Sequence, residues 1–87
     1  MLGAMLQPTV MNVLTPEIEA VIAAEVNQRL NAEFTPGELL NGSPDQKRII
    51  REAIQRLTTH ALRSRSLKVS SRTETDLADQ LIAQTLG

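Results

Sequence analysis

The residues with the clearest capacity for chemistry in this sequence are cations. Lys47, Arg48, Arg51, Arg56, Arg63 and Arg65 lie in one stretch, and Lys68 and Arg72 extend it. Guanidinium and ammonium groups grouped in this way bind carboxylates or phosphates. Three readings follow: a surface for an acidic protein partner, a patch for nucleic acid or anionic lipid, or a solvated face paired with acids of the first and third helices. Reading bases or stacking them needs aromatic side chains, and the single aromatic residue, Phe34, lies outside the stretch.

Other reactive side chains are sparse. His60 is the one histidine and cysteine is absent, so no thiolate or second imidazole can join it as a metal ligand or base pair. His60 reads as a helix-surface residue near a helix C-terminus, where positive charge is mildly favoured. Glu17 and Glu19 are two apart and point to different sides of a helix, as do Glu74 and Asp76, so they suit helix starts rather than acid–base pairs. Asp76 and Asp79 share a face, which reads as solvated surface. Gly3, Gly37, Gly42 and Gly87 form no phosphate-cradling loop. The expectation is a chain without catalytic residues, metal or cofactor.

The elements that would carry the cations are helical. Ser43 is a good N-cap, Pro44 fits the first helical position, and Gln46 stands where a capping box needs it. Ile50, Ile54, Leu57 and Ala61, flanked by Ile49, Ala53 and Leu62, then recur at helical spacing, predicting a helix over 44–63. Thr15-Pro16-Glu17 repeats the same start signal, and Ile18, Val21, Ile22, Val26 and Leu30 predict a helix over 16–31. Ser71 and Glu74 are spaced as a second capping box. Leu77, Ala78, Leu81, Ile82 and Leu86 predict a third helix over 72–86, with Gly87 at its end.

Between the first two helices, Thr35-Pro36-Gly37 marks a turn, Glu38-Leu39-Leu40 suits a short helical turn, and Phe34, Leu39 and Leu40 are expected to plug one end of the core. Residues 63–70 suggest a short extended connection. Residues 1–14, MLGAMLQPTVMNVL, carry no charged side chain and read as a partly disordered leader, with Val10, Val13 and Leu14 able to tuck against the helices. They do not read as a secretory signal, since no Lys or Arg precedes the apolar part, and they are too short to span a bilayer. Asn41-Gly42-Ser43 matches a glycosylation sequon, which carries little weight without such a signal. The expected fold is all-α: a three-helix bundle over residues 15–87 behind the leader.

With 87 residues and one aromatic, the core must be aliphatic. The net charge of −1 conceals a division. Residues 1–46 hold six acids and one base, residues 47–72 eight bases and one acid, and residues 73–87 three acids and no base. The middle can attract an acidic partner that the ends repel. The near-neutral total argues against a dedicated nucleic-acid binder.

Residues 45–87 resemble the N-terminal helical domain of ATPases of the tight-adherence pilus and type II–IV secretion systems. Arg48, Ile50, Arg51, Ile54 and Leu57 match that family's charged helix. Leu67, Ser71, Glu74, Leu77, Leu81, Leu86 and Gly87 match the segment that follows it. The first helix matches more loosely, through Val26, Arg29 and Leu30. The family's nucleotide-binding and hexamer-forming parts have no counterpart here, so no ATP-binding residue carries over. The resemblance implies an N-terminal docking or assembly domain, acting through protein contacts at the cytoplasmic face of a membrane machine. A small nucleic-acid-binding module using residues 47–72 is the alternative.

Overall fold

A computed structural model describes residues 14–40 and 42–86. The described chain is all-α, with four helices: α1 (Pro16–Glu33), α2 (Pro36–Leu40), α3 (Pro44–Ser64) and α4 (Ser71–Leu86). No strand occurs among the described residues. The three long helices are those expected from sequence, with ends displaced by at most two residues, and α2 is the anticipated helical turn extended to five residues. Residues 1–13 of the expected leader, Asn41 of the sequon and Gly87 lie outside the described residues. Leu14, the first described residue, packs against the core.

The chain starts α1 because the Thr15 hydroxyl accepts from the Ile18 N–H at 3.1 Å while Pro16 fills the first turn. Ile22, Val26 and Leu30, four apart, are its buried residues. Val21, expected in the same stripe, is half exposed instead. It sits about 100° round the helix from Ile22, beyond the narrow strip that one neighbour can cover.

The α3 helix is the centre of the molecule, and both α1 and α4 pack against it. Its buried face is correspondingly wide, comprising Ile50, Ala53, Ile54, Leu57, Thr58, Ala61 and Leu62. Thr58 is the one buried polar residue described, and its hydroxyl is satisfied by donating to the Ile54 carbonyl at 2.7 Å. At the N-terminus Ser43 Oγ accepts from the Gln46 N–H at 3.2 Å, the forward half of the expected capping box.

The α3 helix ends in a Schellman turn. The Leu67 N–H donates to the Leu62 carbonyl and the Ser66 N–H to the Arg63 carbonyl, both at 2.9 Å. Ser66 takes the left-handed position, at φ 57°. The expected extended connection is thus confined to the residues after this turn, where Leu67 and Val69 fold onto the core.

In α4, Leu77, Ala78 and Leu81 are buried. Its cap differs from the sequence expectation. Ser70, not Ser71, accepts from the Thr73 N–H, at 3.1 Å. Glu74 is drawn across to α3, where its carboxylate accepts from the Thr59 hydroxyl. A side chain used between helices is lost to the capping box.

The expected plug at the end of the core is also corrected in part. Phe34 and Leu39 pack against the buried cluster, but Leu40 is 82% exposed. Consecutive helical residues point about 100° apart, so a single-turn helix lying on the core can bury only one of the two leucines. The turn holding α2 in place is a complete capping box. Thr35 Oγ1 accepts from the Glu38 N–H at 3.2 Å, and Glu38 Oε1 accepts from the Thr35 N–H at 2.8 Å.

Candidate functional site on the central helix

The cations picked out by sequence sit on α3 and in the turn that follows it, and the structure divides them by what they touch. Arg56 donates to Glu33 of α1 at 3.0 Å. Arg65 lies 2.5 Å from Glu25 of α1 and also donates to the Ala61 carbonyl at 3.3 Å. These two arginines tie α3 and its C-terminal turn to α1 from positions about two and a half turns apart. Arg48 pairs within α3, with Glu52 at 3.7 Å.

Lys47, Arg51 and Arg63 have no ion-pair partner among the described residues. Lys47 and Arg51 are one turn apart and about 40° round the axis, so they form one corner near the start of α3. Arg63 is about 18 Å further along and about 120° round from Arg51. Lys68 and Arg72 are exposed beyond it. The six candidate residues therefore do not merge into one patch. The acids that bind cations between helices all come from α1, and none comes from α4 among the described residues.

Lys47 is half-buried near Gly42. Its Cε lies 3.8 Å from where a side chain at residue 42 would begin. Gly42 has φ +83°, in the left-handed region that favours glycine over residues with a side chain.

The remaining candidates stay apart. His60 is exposed on α3, and Asp76 and Asp79 are exposed on α4. Among the described residues no three His, Asp or Glu side chains converge to hold a metal ion. A cleft of about 290 Å³ lies along the α3–α4 seam, bounded by Gln55, Thr59, Glu74, Thr75 and Ala78. A second, of about 210 Å³, lies between α1 and α4, with Ala20, Ala23, Leu77 and Leu81 on its apolar side.

Sequence reasoning missed the partners Glu25 and Glu33. A signal existed for Glu33: it continues the spacing Val26, Leu30, and a carboxylate in line with a buried stripe must face the neighbouring helix. Leu40 as an exposed residue was missed for the opposite reason, because an apolar side chain alone does not reveal which of two neighbours turns inward.

A scan against protein-family models, a search of curated proteins and a search of solved structures each returned no match.

Proposed function

We propose that the domain is a non-catalytic docking module that binds an acidic protein surface, and that it serves as the N-terminal assembly domain of a secretion or pilus-assembly ATPase. The observation that carries this reading is the corner formed by Lys47 and Arg51. They are two neighbouring cations with no carboxylate partner among the described residues, on a helix where Arg48 and Arg56 are paired and Arg63, also unpaired, stands alone about 18 Å away. A charge-complementary corner of this kind steers encounter and fixes orientation. The likeness of residues 45–87 to the secretion ATPase domain supplies the setting. In that setting the partner belongs to a membrane-associated machine, and the domain works on its cytoplasmic side. No helix among the described residues is long and apolar enough to cross a membrane.

The nucleic-acid alternative needs cations spread along one track. Arg56 and Arg65 are engaged by α1, which leaves Lys47 and Arg51 far from Arg63 and disfavours it. Two experiments test the proposal. Reading the native gene past Gly87 is expected to reveal an ATPase core, and a stop codon there sinks the secretion setting. Titration with duplex and single-stranded DNA at low salt is expected to show no binding. Binding there that weakens steeply as salt rises would favour the alternative.

A further inference from the structure

Beside the Lys47–Arg51 corner stands the most exposed large apolar side chain among the described residues. Leu40 is 82% exposed, against 50% for Val21 and 44% for Ile49. It ends α2 two residues before Gly42, and its carbonyl oxygen and Lys47 Cε lie 3.9 and 3.8 Å from where a side chain at residue 42 would begin. An apolar anchor and two cations therefore share one corner, where α2 meets the start of α3.

The acids near this corner pair with neither Lys47 nor Arg51. Glu38 of α2 is occupied by its own cap, since Oε1 accepts from both the N–H and the hydroxyl of Thr35, at 2.8 and 3.1 Å. Asp45 stands in the first turn of α3, at the positive end of the helix dipole. Leu40 is also held in place: its neighbour Leu39 packs on the core, and the capping box fixes the turn beneath both. An exposed leucine on a fixed backbone gives up little freedom when a partner covers it. An apolar contact with charged groups at its rim is the usual anatomy of a protein interface.

We infer that Leu40, Lys47 and Arg51 form the docking point for one kind of partner, a short acidic protein segment with an apolar residue at its centre. The apolar residue covers Leu40 while flanking carboxylates meet Lys47 and Arg51. This rests on the docking function proposed above and narrows it to a place and a ligand pattern.

The test uses the full 87-residue chain and three labelled synthetic peptides. One carries a leucine between runs of Asp and Glu, the second replaces that leucine with serine, and the third replaces the acids with lysine. Binding is read by fluorescence anisotropy and located by amide chemical shifts. The leucine peptide is expected to bind at least tenfold more tightly than the serine peptide, and the lysine peptide not at all. Shifts should centre on residues 39–51. Leu40→Ser should erase the tenfold preference, and K47E with R51E should remove binding. Because these side chains are not part of the buried core, amide spectra should show both variants folded. Equal affinity for the leucine and serine peptides overturns the Leu40 anchor but leaves docking through charge intact. Shifts centred on Arg63 and Lys68 overturn the location. Binding of no acidic peptide overturns both this inference and the acidic-partner reading. Concentration-dependent dimerisation that Leu40→Ser abolishes would assign the surface to a second copy of the chain and overturn the partner proposed here. A DNA oligomer that displaces the leucine peptide from Lys47 and Arg51 would overturn it in favour of phosphate binding.

Discussion

The two seams along α3 are built differently. Towards α1, aliphatic packing of Ile22, Val26 and Leu30 is flanked by two arginine–carboxylate ties, Arg56–Glu33 and Arg65–Glu25. Towards α4 the apolar contacts of Leu77, Ala78 and Leu81 are joined by a single described side-chain bond, from the Thr59 hydroxyl to Glu74, beside a small open cleft. One helix thus spends its cations on one neighbour only. The basic stretch is therefore not a single feature. Part of it fastens α1, and the cations without a described carboxylate partner fall into two separate groups, Lys47 with Arg51 near the start of α3 and Arg63, Lys68 and Arg72 at and beyond its end.

The largest effects should come from the core that both seams share. Ile54 is fully buried, and Ile54→Ala should cost about 2–5 kcal/mol in urea unfolding. Leu30→Ala on the α1 side and Leu81→Ala on the α4 side should each fall in the same range of about 2–5 kcal/mol, because both seams are needed to close the core. A loss below about 1 kcal/mol for either leucine would mean that its helix is dispensable, and the comparison of seams would collapse.

Much of this packing was legible in the sequence, for a physical reason. Ile50, Ile54, Leu57 and Ala61 repeat at helical spacing, and a long periodic stripe has one way to be buried. The caps at Thr15 and Ser43 were legible because short hydroxyl side chains before a proline leave few alternatives. The end of α3 was not. A left-handed residue closes it, and Ser66 stands where glycine would have announced the turn. Nor could the sequence separate Arg56 and Arg65 from Lys47 and Arg51, since the sorting depends on where α1 lies. Nor was the choice of Ser70 over Ser71 as a cap legible, since two neighbouring serines each have a polar residue three positions on, Thr73 and Glu74.

Intermediate effects sharpen the difference between the ends of α3. Ser66→Gly should stabilise the domain by about 1 kcal/mol, by removing the cost of a side chain at φ 57°. A loss of stability would show that the serine side chain makes a necessary contact. Thr35→Ala should cost about 1 kcal/mol, read as faster amide exchange in α2 rather than in α1 or α4. Uniform acceleration across all the helices would mean that α2 is part of the cooperative core.

The smallest expected effect separates the two classes of cation most directly. At low salt, R56Q and R65Q should each lower stability by up to about 1 kcal/mol, and the loss should shrink in concentrated salt as exposed ion pairs are screened. The double variant K47Q with R51Q should lose no stability at either salt concentration, since neither side chain has a carboxylate to release. The decisive measurement is therefore urea unfolding of these three variants beside the parent chain, at low and high salt. A salt-dependent loss is expected for R56Q and R65Q only. An equal salt-dependent loss for K47Q with R51Q would show that those cations are ties as well, and would contradict the assignment of that corner as a free docking surface.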